Sequence, residues 1–219
     1  MQTMIGVLRH SRRLRLPIEI LFLALLYIVA ARLGMLFFQS QGLAPIFWPA
    51  AGVALAGVVL GGYVFSLSVF IGALVVGVMT LGGPDVAPFI PLTVQAIGSV
   101  AQALLGAYLL RRFVSPLPPT TIRATLRAIG LCALTSGIAP LIGVLAFSFT
   151  DYISLNQALI AAFRWWVGIL VGILMTAPGL IALGQFWRRR SSSEWLLWPI
   201  ASLMIGLAFL SFVVAVREE

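Results

Sequence analysis

The feature that most constrains this chain is a series of long apolar stretches separated by short links. Several of these stretches reach 18 residues or more with few charges, which is the length that a helix needs to cross the hydrocarbon core of a bilayer. Hydrophobic residues make up 61% of the chain and charged residues 9%, whereas a soluble domain carries about 25% charge. The chain cannot cover its surface with groups that water solvates, so we expect an integral membrane protein.

The order of the apolar stretches predicts an all-α, polytopic helical bundle with about seven transmembrane helices. A basic cytoplasmic tail (residues 1–16) precedes the bundle (residues 17–216), and residues 217–219 begin an extracytoplasmic segment or end the chain. The Gly61-Gly62-Tyr63 link predicts a tight hairpin, because glycine accepts the backbone angles of such a turn. The predicted spans cover residues 17–38, 45–61, 64–81, 88–110, 128–149, 157–185 and 195–216.

The sixth predicted span is long for a single crossing. A helix of this length can tilt in the bilayer, or it can bend at Pro178, where a backbone donor is missing. Both alternatives are compatible with the sequence.

The distribution of arginine predicts the orientation of the bundle. The tail, the link after span four and the link after span six hold 11 of the 14 arginines. These three segments share one side of the membrane if all seven spans cross. The links on the other side contain Asp85 and Asp151 and no arginine. Since cytoplasmic loops are enriched in arginine, we expect the N-terminus in the cytoplasm and the C-terminus outside.

Residues that carry catalysis or bind metals are scarce. Cys132 and His10 are the only cysteine and histidine, so neither an internal disulfide nor a Cys/His metal site is expected. The spans contain no Ser/His or Cys/His pair, no paired aspartates, no HExxH motif and no phosphate loop. We therefore expect no enzyme activity, no catalytic residue, no metal and no cofactor. The net charge of +8 is divided among separate clusters that suit anionic lipid rather than nucleic acid.

Polar side chains inside the spans are the candidates for function, because such groups are costly in a bilayer. Arg32, Arg164 and Gln95 fall at a common predicted depth, roughly 10 Å below the outer surface. Gln95 begins a stripe at helical spacing down span four. Trp165 adjoins Arg164, and Trp48 begins span two slightly nearer the surface. The candidate ligand-binding residues are Arg32, Trp48, Gln95, Ser99, Gln102, Arg164 and Trp165.

These polar side chains have two interpretations. Each arginine can snorkel to the outer headgroups, because a depth of ~10 Å permits it. Alternatively, the arginines, glutamines and indoles line a water-filled pocket that opens to the outside and binds a small anionic or polar ligand. The shared depth favours the pocket slightly.

Small residues on the predicted spans favour close helix packing. Gly52 and Ala56 on span two, and Gly168 and Gly172 on span six, form faces with small residues four apart. Such faces allow two backbones to approach in a bilayer. Packing, rather than ligand binding, is the expected role of these glycines.

Four stretches of the chain are distinctive in their order: YIVAARLG (Tyr27–Gly34), FWPAAGVALAGVVLGG (Phe47–Gly62), QAIGSVAQALLGAYLLRR (Gln95–Arg112) and FRWWVGILVGILMTAP (Phe163–Pro178). Together they resemble the bacterial membrane-associated sensor domains of the first-described MASE type. Two positions depart from the family pattern: Ile169 stands where an acidic residue is frequent, and Ser99 stands where asparagine is common. If those polar residues bind a signal in relatives, either the ligand of this chain differs or its pocket is less polar.

The resemblance implies a sensory input domain in the bacterial cytoplasmic (inner) membrane. Such domains precede histidine kinases, diguanylate cyclases and cyclic-di-GMP phosphodiesterases. The expected partners are the lipid bilayer, a small ligand or a membrane protein, and a cytoplasmic output domain in cis or in trans. The chain is then either a fragment of a longer receptor or a protein that docks to its partner.

Two other functions stay open on the sequence alone. The bundle can be the substrate-binding membrane subunit of a small-solute transporter, although it shows no buried acid for ion coupling and no strong internal repeat. It can also be a passive membrane anchor or dimerisation scaffold.

Overall fold

The computed structural model describes residues 2–38, 45–81 and 88–189. This part of the chain consists of α-helices and one 3-10 turn (Tyr63–Phe65), with no strand. The predicted all-α bundle is therefore confirmed. The helices are α1 (Gln2–Phe38), α2 (Pro49–Gly61), α3 (Ser66–Thr80), α4 (Phe89–Phe113), α5 (Ile122–Thr135), α6 (Ile138–Phe149) and α7 (Leu155–Arg189).

The described residues contain five stretches that are long and apolar enough to cross a membrane, so the predicted count of about seven is slightly too high. Predicted span two is only a 13-residue helix, which is ~20 Å long and too short for the ~30 Å hydrocarbon core. Predicted span seven (195–216) lies outside the described residues. The five stretches are Arg15–Leu36, Tyr63–Thr80, Phe89–Phe113, Ile122–Phe149 and Asn156–Phe186.

A proline determines where helix α2 starts. Pro49 occupies the first helical position, where its missing N–H costs nothing. The residue before a proline is disfavoured in the helical region, and Trp48 is accordingly non-helical, with φ −120° and ψ 78°. The Trp48 N–H donates to the Gly168 carbonyl of α7 at 3.0 Å. That bond matters because irregular backbone at membrane depth must be satisfied within the protein.

Helix α2 is the central element of the bundle, and ten of its residues are buried. It lies against α7 at a seam of glycines. A side chain on Gly172 would overlap the Trp48 carbonyl oxygen, and one on Gly168 would overlap the Pro45 carbonyl oxygen. Gly52 in turn faces Thr176 and the Gly172 carbonyl. The predicted close packing of these small residues is confirmed.

The predicted hairpin after α2 is also confirmed. Gly62 has φ +101°, a conformation that side chains disfavour, and it turns the chain into α3. Arg111 of α4 binds this end of α2, and Gly184 of α7 faces Leu60. The ends of α2, α4 and α7 therefore meet, and we call this the arginine end of the bundle.

Predicted span five is interrupted. Its first helix, α5, starts at Ile122 instead of residue 128. The Thr121 side chain caps this start, because it accepts a hydrogen bond from the Ala124 N–H at 3.2 Å. Helix α5 ends at Thr135 and α6 begins at Ile138. Pro140 explains the break, because it lacks an N–H and its ring clashes with the carbonyl four residues earlier. Helix α7, by contrast, continues through Pro178.

Candidate functional site: an aromatic cavity opposite the arginine end

A cavity of about 300 Å³ lies at the end of the bundle opposite the arginine end. It is a partly open cavity bounded by α1, α3, α4, α6 and α7, by the α6–α7 link and by the residues before α2. Its wall is formed by Tyr27, Met35, Pro45, Trp48, Ala73, Val76, Gly77, Thr80, Leu81, Leu92, Gln95, Phe147, Tyr152, Ile153, Ala161 and Trp165.

Tyr27 forms the floor of the cavity between α1 and α3. Its ring packs on Gly72, where an added Cβ would lie 2.7 Å from the Tyr27 Cδ1 atom. The side chain is 3% exposed, and its hydroxyl interacts with the side chains of Trp48 and Ser99. A buried phenol needs such polar partners. Tyr27 of α1 therefore contacts both the residue before α2, Trp48, and Ser99 of α4.

Trp165 and Gln95 meet on the opposite wall. Gly143 of α6 makes room for both, because a Cβ there would lie 2.9 Å from the Trp165 ring and 3.1 Å from Gln95 Cγ. The Gln95 Nε2 donates to the Ser99 hydroxyl at 3.0 Å, and that hydroxyl donates to the Gln95 carbonyl at 3.3 Å. The Gln95 side chain is therefore held by its own helix, and its amide oxygen accepts no hydrogen bond from the described residues.

The link between α6 and α7 forms part of the cavity wall. Asp151 has φ +57°, and its N–H donates to the Ser148 carbonyl at 3.3 Å. The Tyr152 N–H donates to the Phe147 carbonyl at 2.9 Å, and the two rings pack edge to face with centroids 6.2 Å apart. This is the Schellman pattern of hydrogen bonds and apolar contact. This backbone conformation places Tyr152 and Ile153 in the cavity wall.

A family model described as MASE1 matches residues 19–217. The chain belongs to the MASE1 family. MASE1 is a family of membrane-associated sensor domains, so the resemblance found in the four sequence stretches is confirmed. No curated protein and no solved structure matches the chain.

The cavity of this MASE1 domain brings together three of the seven predicted site residues, Trp48, Gln95 and Trp165. Ser99 is buried behind Gln95 and orients it. Gln102 is 6% exposed and has a structural partner, since its Oε1 accepts from the Ala139 N–H of α6 at 3.4 Å.

The two predicted arginines lie apart from the cavity. Arg32 and Arg164 are exposed, and neither belongs to the wall. Their position on the outside of the bundle favours the snorkelling interpretation, in which each guanidinium reaches the headgroups. A role for them in ligand binding stays a prediction.

Tyr27 and Tyr152 of the MASE1 domain line the cavity but were not among the predicted site residues. A signal for Tyr27 existed, because it is a tyrosine inside an apolar span and its hydroxyl must find a partner there. No comparable signal marked Tyr152, which depends on a left-handed backbone conformation at Asp151.

The wall is chemically simple. None of its described residues is an acid, an arginine, a lysine or a histidine, and the described part of the chain contains no group of three or more metal-binding side chains. The arrangement suits reversible binding of a small molecule through ring contacts and a few hydrogen bonds.

Proposed function

We propose that this MASE1 domain is the sensory input module of a bacterial signalling receptor in the inner membrane, with a histidine kinase or a cyclic-di-GMP enzyme as its output. The supporting observation is the cavity, which is built by several helices of a bundle whose family consists of sensor domains. A ligand between these helices can change how they pack against one another.

The route from the cavity to the arginine end runs along α7. Trp165 lies in the cavity wall, and α7 ends at Arg189, which is ~36 Å away at 1.5 Å per residue. The glycine seam holds α7 tightly against α2, so the two move as one body against α1, α3 and α4. A ligand shifts this packing only by its difference in affinity between the two arrangements.

The proposed orientation places the arginine end in the cytoplasm. The cavity then lies in the outer half of the membrane, and the output partner docks at the cytoplasmic ends of the helices. The signal thus enters at one face and leaves at the other.

Two α7 variants in the native bacterium test the proposed function. Trp165→Ala removes a cavity wall, whereas Leu159→Ala is a matched change of an 83% exposed side chain. We expect Trp165→Ala to change cyclic-di-GMP concentration or response-regulator phosphorylation several-fold at an equal membrane level, because the wall that senses the ligand is lost. Leu159→Ala should match the wild type.

Mass spectrometry and phosphate-affinity gels give the two readouts. Wild-type output from Trp165→Ala under every growth condition would contradict the proposed function. Loss of uptake of a small solute with unchanged signalling would favour the transporter instead.

A further inference from the structure

The chemistry of the cavity restricts its ligand to uncharged molecules. The described wall carries no charged group, and the cations of that half of the bundle, Arg32 and Arg164, are exposed and do not line it. A charge that leaves water for such a site must be paired, or the cost of desolvation prevents binding. Of the anionic or polar ligand expected from the sequence, an anionic one therefore finds no counter-charge on the described wall.

The size and shape of the wall favour a flat aromatic ligand. Apolar protein cavities of ~150 Å³ hold one benzene molecule, and this cavity measures about 300 Å³. Five of its lining side chains are aromatic, and ring pairs gain from offset or edge-to-face contact. The space suits a molecule of about two fused rings. The aromatic side chains are Tyr27, Trp48, Phe147, Tyr152 and Trp165.

One wall atom selects for a hydrogen-bond donor on the ligand. The Gln95 Nε2 is engaged with Ser99 at 3.0 Å, which fixes the amide and leaves its Oε1 without a donor among the described residues. The Tyr27 hydroxyl, another polar group of the wall, already interacts with the side chains of Trp48 and Ser99. An unsatisfied carbonyl oxygen in an apolar site gains from a donor that the ligand supplies.

We propose that the cavity binds an uncharged aromatic molecule about two rings in size, which donates one hydrogen bond to Gln95 Oε1. This inference rests on the proposed sensory function for its biological meaning. The binding itself is measured without any signalling readout.

Equilibrium binding to the full chain in lipid nanodiscs tests this ligand class, with indole, 1-methylindole and indole-3-acetate as probes. Indole has two rings and an N–H donor, 1-methylindole lacks the donor, and indole-3-acetate carries a charge. We expect saturable binding of tritiated indole above the level in empty nanodiscs. In competition, 1-methylindole should bind roughly two- to tenfold more weakly, and indole-3-acetate should not compete.

Two variants separate the hydrogen bond from the cavity. Gln95→Leu keeps the size of the side chain and removes the acceptor, so indole and 1-methylindole should bind equally. Ala161→Phe fills the space from α7, so both probes should lose binding. Thermal unfolding of each unliganded variant close to that of the wild type shows that the fold is intact.

Three results would overturn the proposal. Equal binding of indole and 1-methylindole to the wild type would show that no hydrogen bond to Gln95 Oε1 contributes to binding. Competition by indole-3-acetate alone would show an anion site. Binding of no probe, while Trp165→Ala still alters signalling, would reject the ligand class and leave the proposed function standing.

Discussion

Arg111 lies where α2 ends, and its guanidinium binds two carbonyl oxygens near the end of that helix, one of which, that of Val58, also accepts from the Gly62 N–H. It donates to the Val58 carbonyl at 3.0 Å and to the Val59 carbonyl at 2.6 Å. The same group lies 5.3 Å from the centroid of the Tyr63 ring, within the range of a cation–π contact. A positive charge at a helix C-terminus also interacts favourably with the negative end of the helix dipole. Arg111 therefore stabilises both α2 and the hairpin after it.

The change Arg111→Ala should lower the free energy of unfolding by roughly 1–2 kcal/mol, because charged hydrogen bonds to two carbonyls are lost. Arg112→Ala is the control, since Arg112 makes no hydrogen bond with the described residues and its guanidinium lies 6.0 Å from the neighbouring Phe113 ring. Thermal unfolding of the purified proteins in one detergent compares them. Equal midpoints for the two variants would show that Arg111 serves only as a topology charge.

Counting residues along each predicted span indicates how deep a side chain lies in the membrane. Depth is a matter of rise per residue, and Trp48, Gln95 and Trp165, which were predicted at similar depths, line one cavity. Direction around the helix is a separate quantity. Ala31 is fully buried, and Arg32, one residue later, is exposed, because successive residues of a helix are turned by about 100°. Without the packing partners of α1, the sequence does not say which direction is inside.

At the scale of the elements, the α2–α7 seam is the tightest contact in the bundle. Its glycines allow the carbonyl oxygens of Pro45 and Trp48 to lie directly on the backbone of α7. The pattern of small residues four apart was visible in the sequence. The extended entry of the partner segment was not, because hydropathy reports apolar character and not backbone conformation.

We expect Gly172→Ala to lower the midpoint of thermal unfolding, with a cost of about 1–3 kcal/mol for overpacking. The new methyl group would overlap the Trp48 carbonyl, which is backbone and cannot rotate away. Gly130→Ala is the matched control, because Gly130 is a helical glycine with open space around it. That change should be neutral or stabilising, since alanine favours helix. A higher midpoint of thermal unfolding for Gly172→Ala than for the wild type would contradict the close backbone contact between α2 and α7 at Gly172.

The break between α5 and α6 is a second backbone feature that the apolar pattern did not predict. The apolar run through this region is continuous, so the sequence predicted one helix. Helix α4 and helix α7 both bind the broken segment, since Gln102 accepts from the Ala139 N–H and the Trp166 Nε1 donates to the Ala133 carbonyl at 2.9 Å. The Gly137 and Pro140 pair was the available signal for this break.

On the scale of the whole molecule, the positions of the links predict which surface faces the cytoplasm. Ser115 lies in the α4–α5 link at the arginine end, and Ser154 lies in the α6–α7 link at the cavity end. Both side chains are exposed, whereas the native Cys132 is buried. Replacing Cys132 by alanine gives a background for single-cysteine labelling.

A membrane-impermeant maleimide applied to intact spheroplasts should label Ser154→Cys and leave Ser115→Cys unlabelled. Ser115→Cys should react only after the membrane is permeabilised, because the arginine distribution leads us to expect the arginine end in the cytoplasm. The opposite pattern would invert the orientation and move the cavity to the cytoplasmic half.

The entry segment of α2 also dictates an order of assembly. The N–H of Trp48 is satisfied by Gly168, a residue that the ribosome adds 120 positions later along the chain. Until α7 arrives, this N–H has no partner in the hydrocarbon, where an unpaired group costs several kcal/mol. The 45–61 segment is therefore expected to enter the bilayer late during synthesis, and to settle beside α1 only after α7 has been inserted.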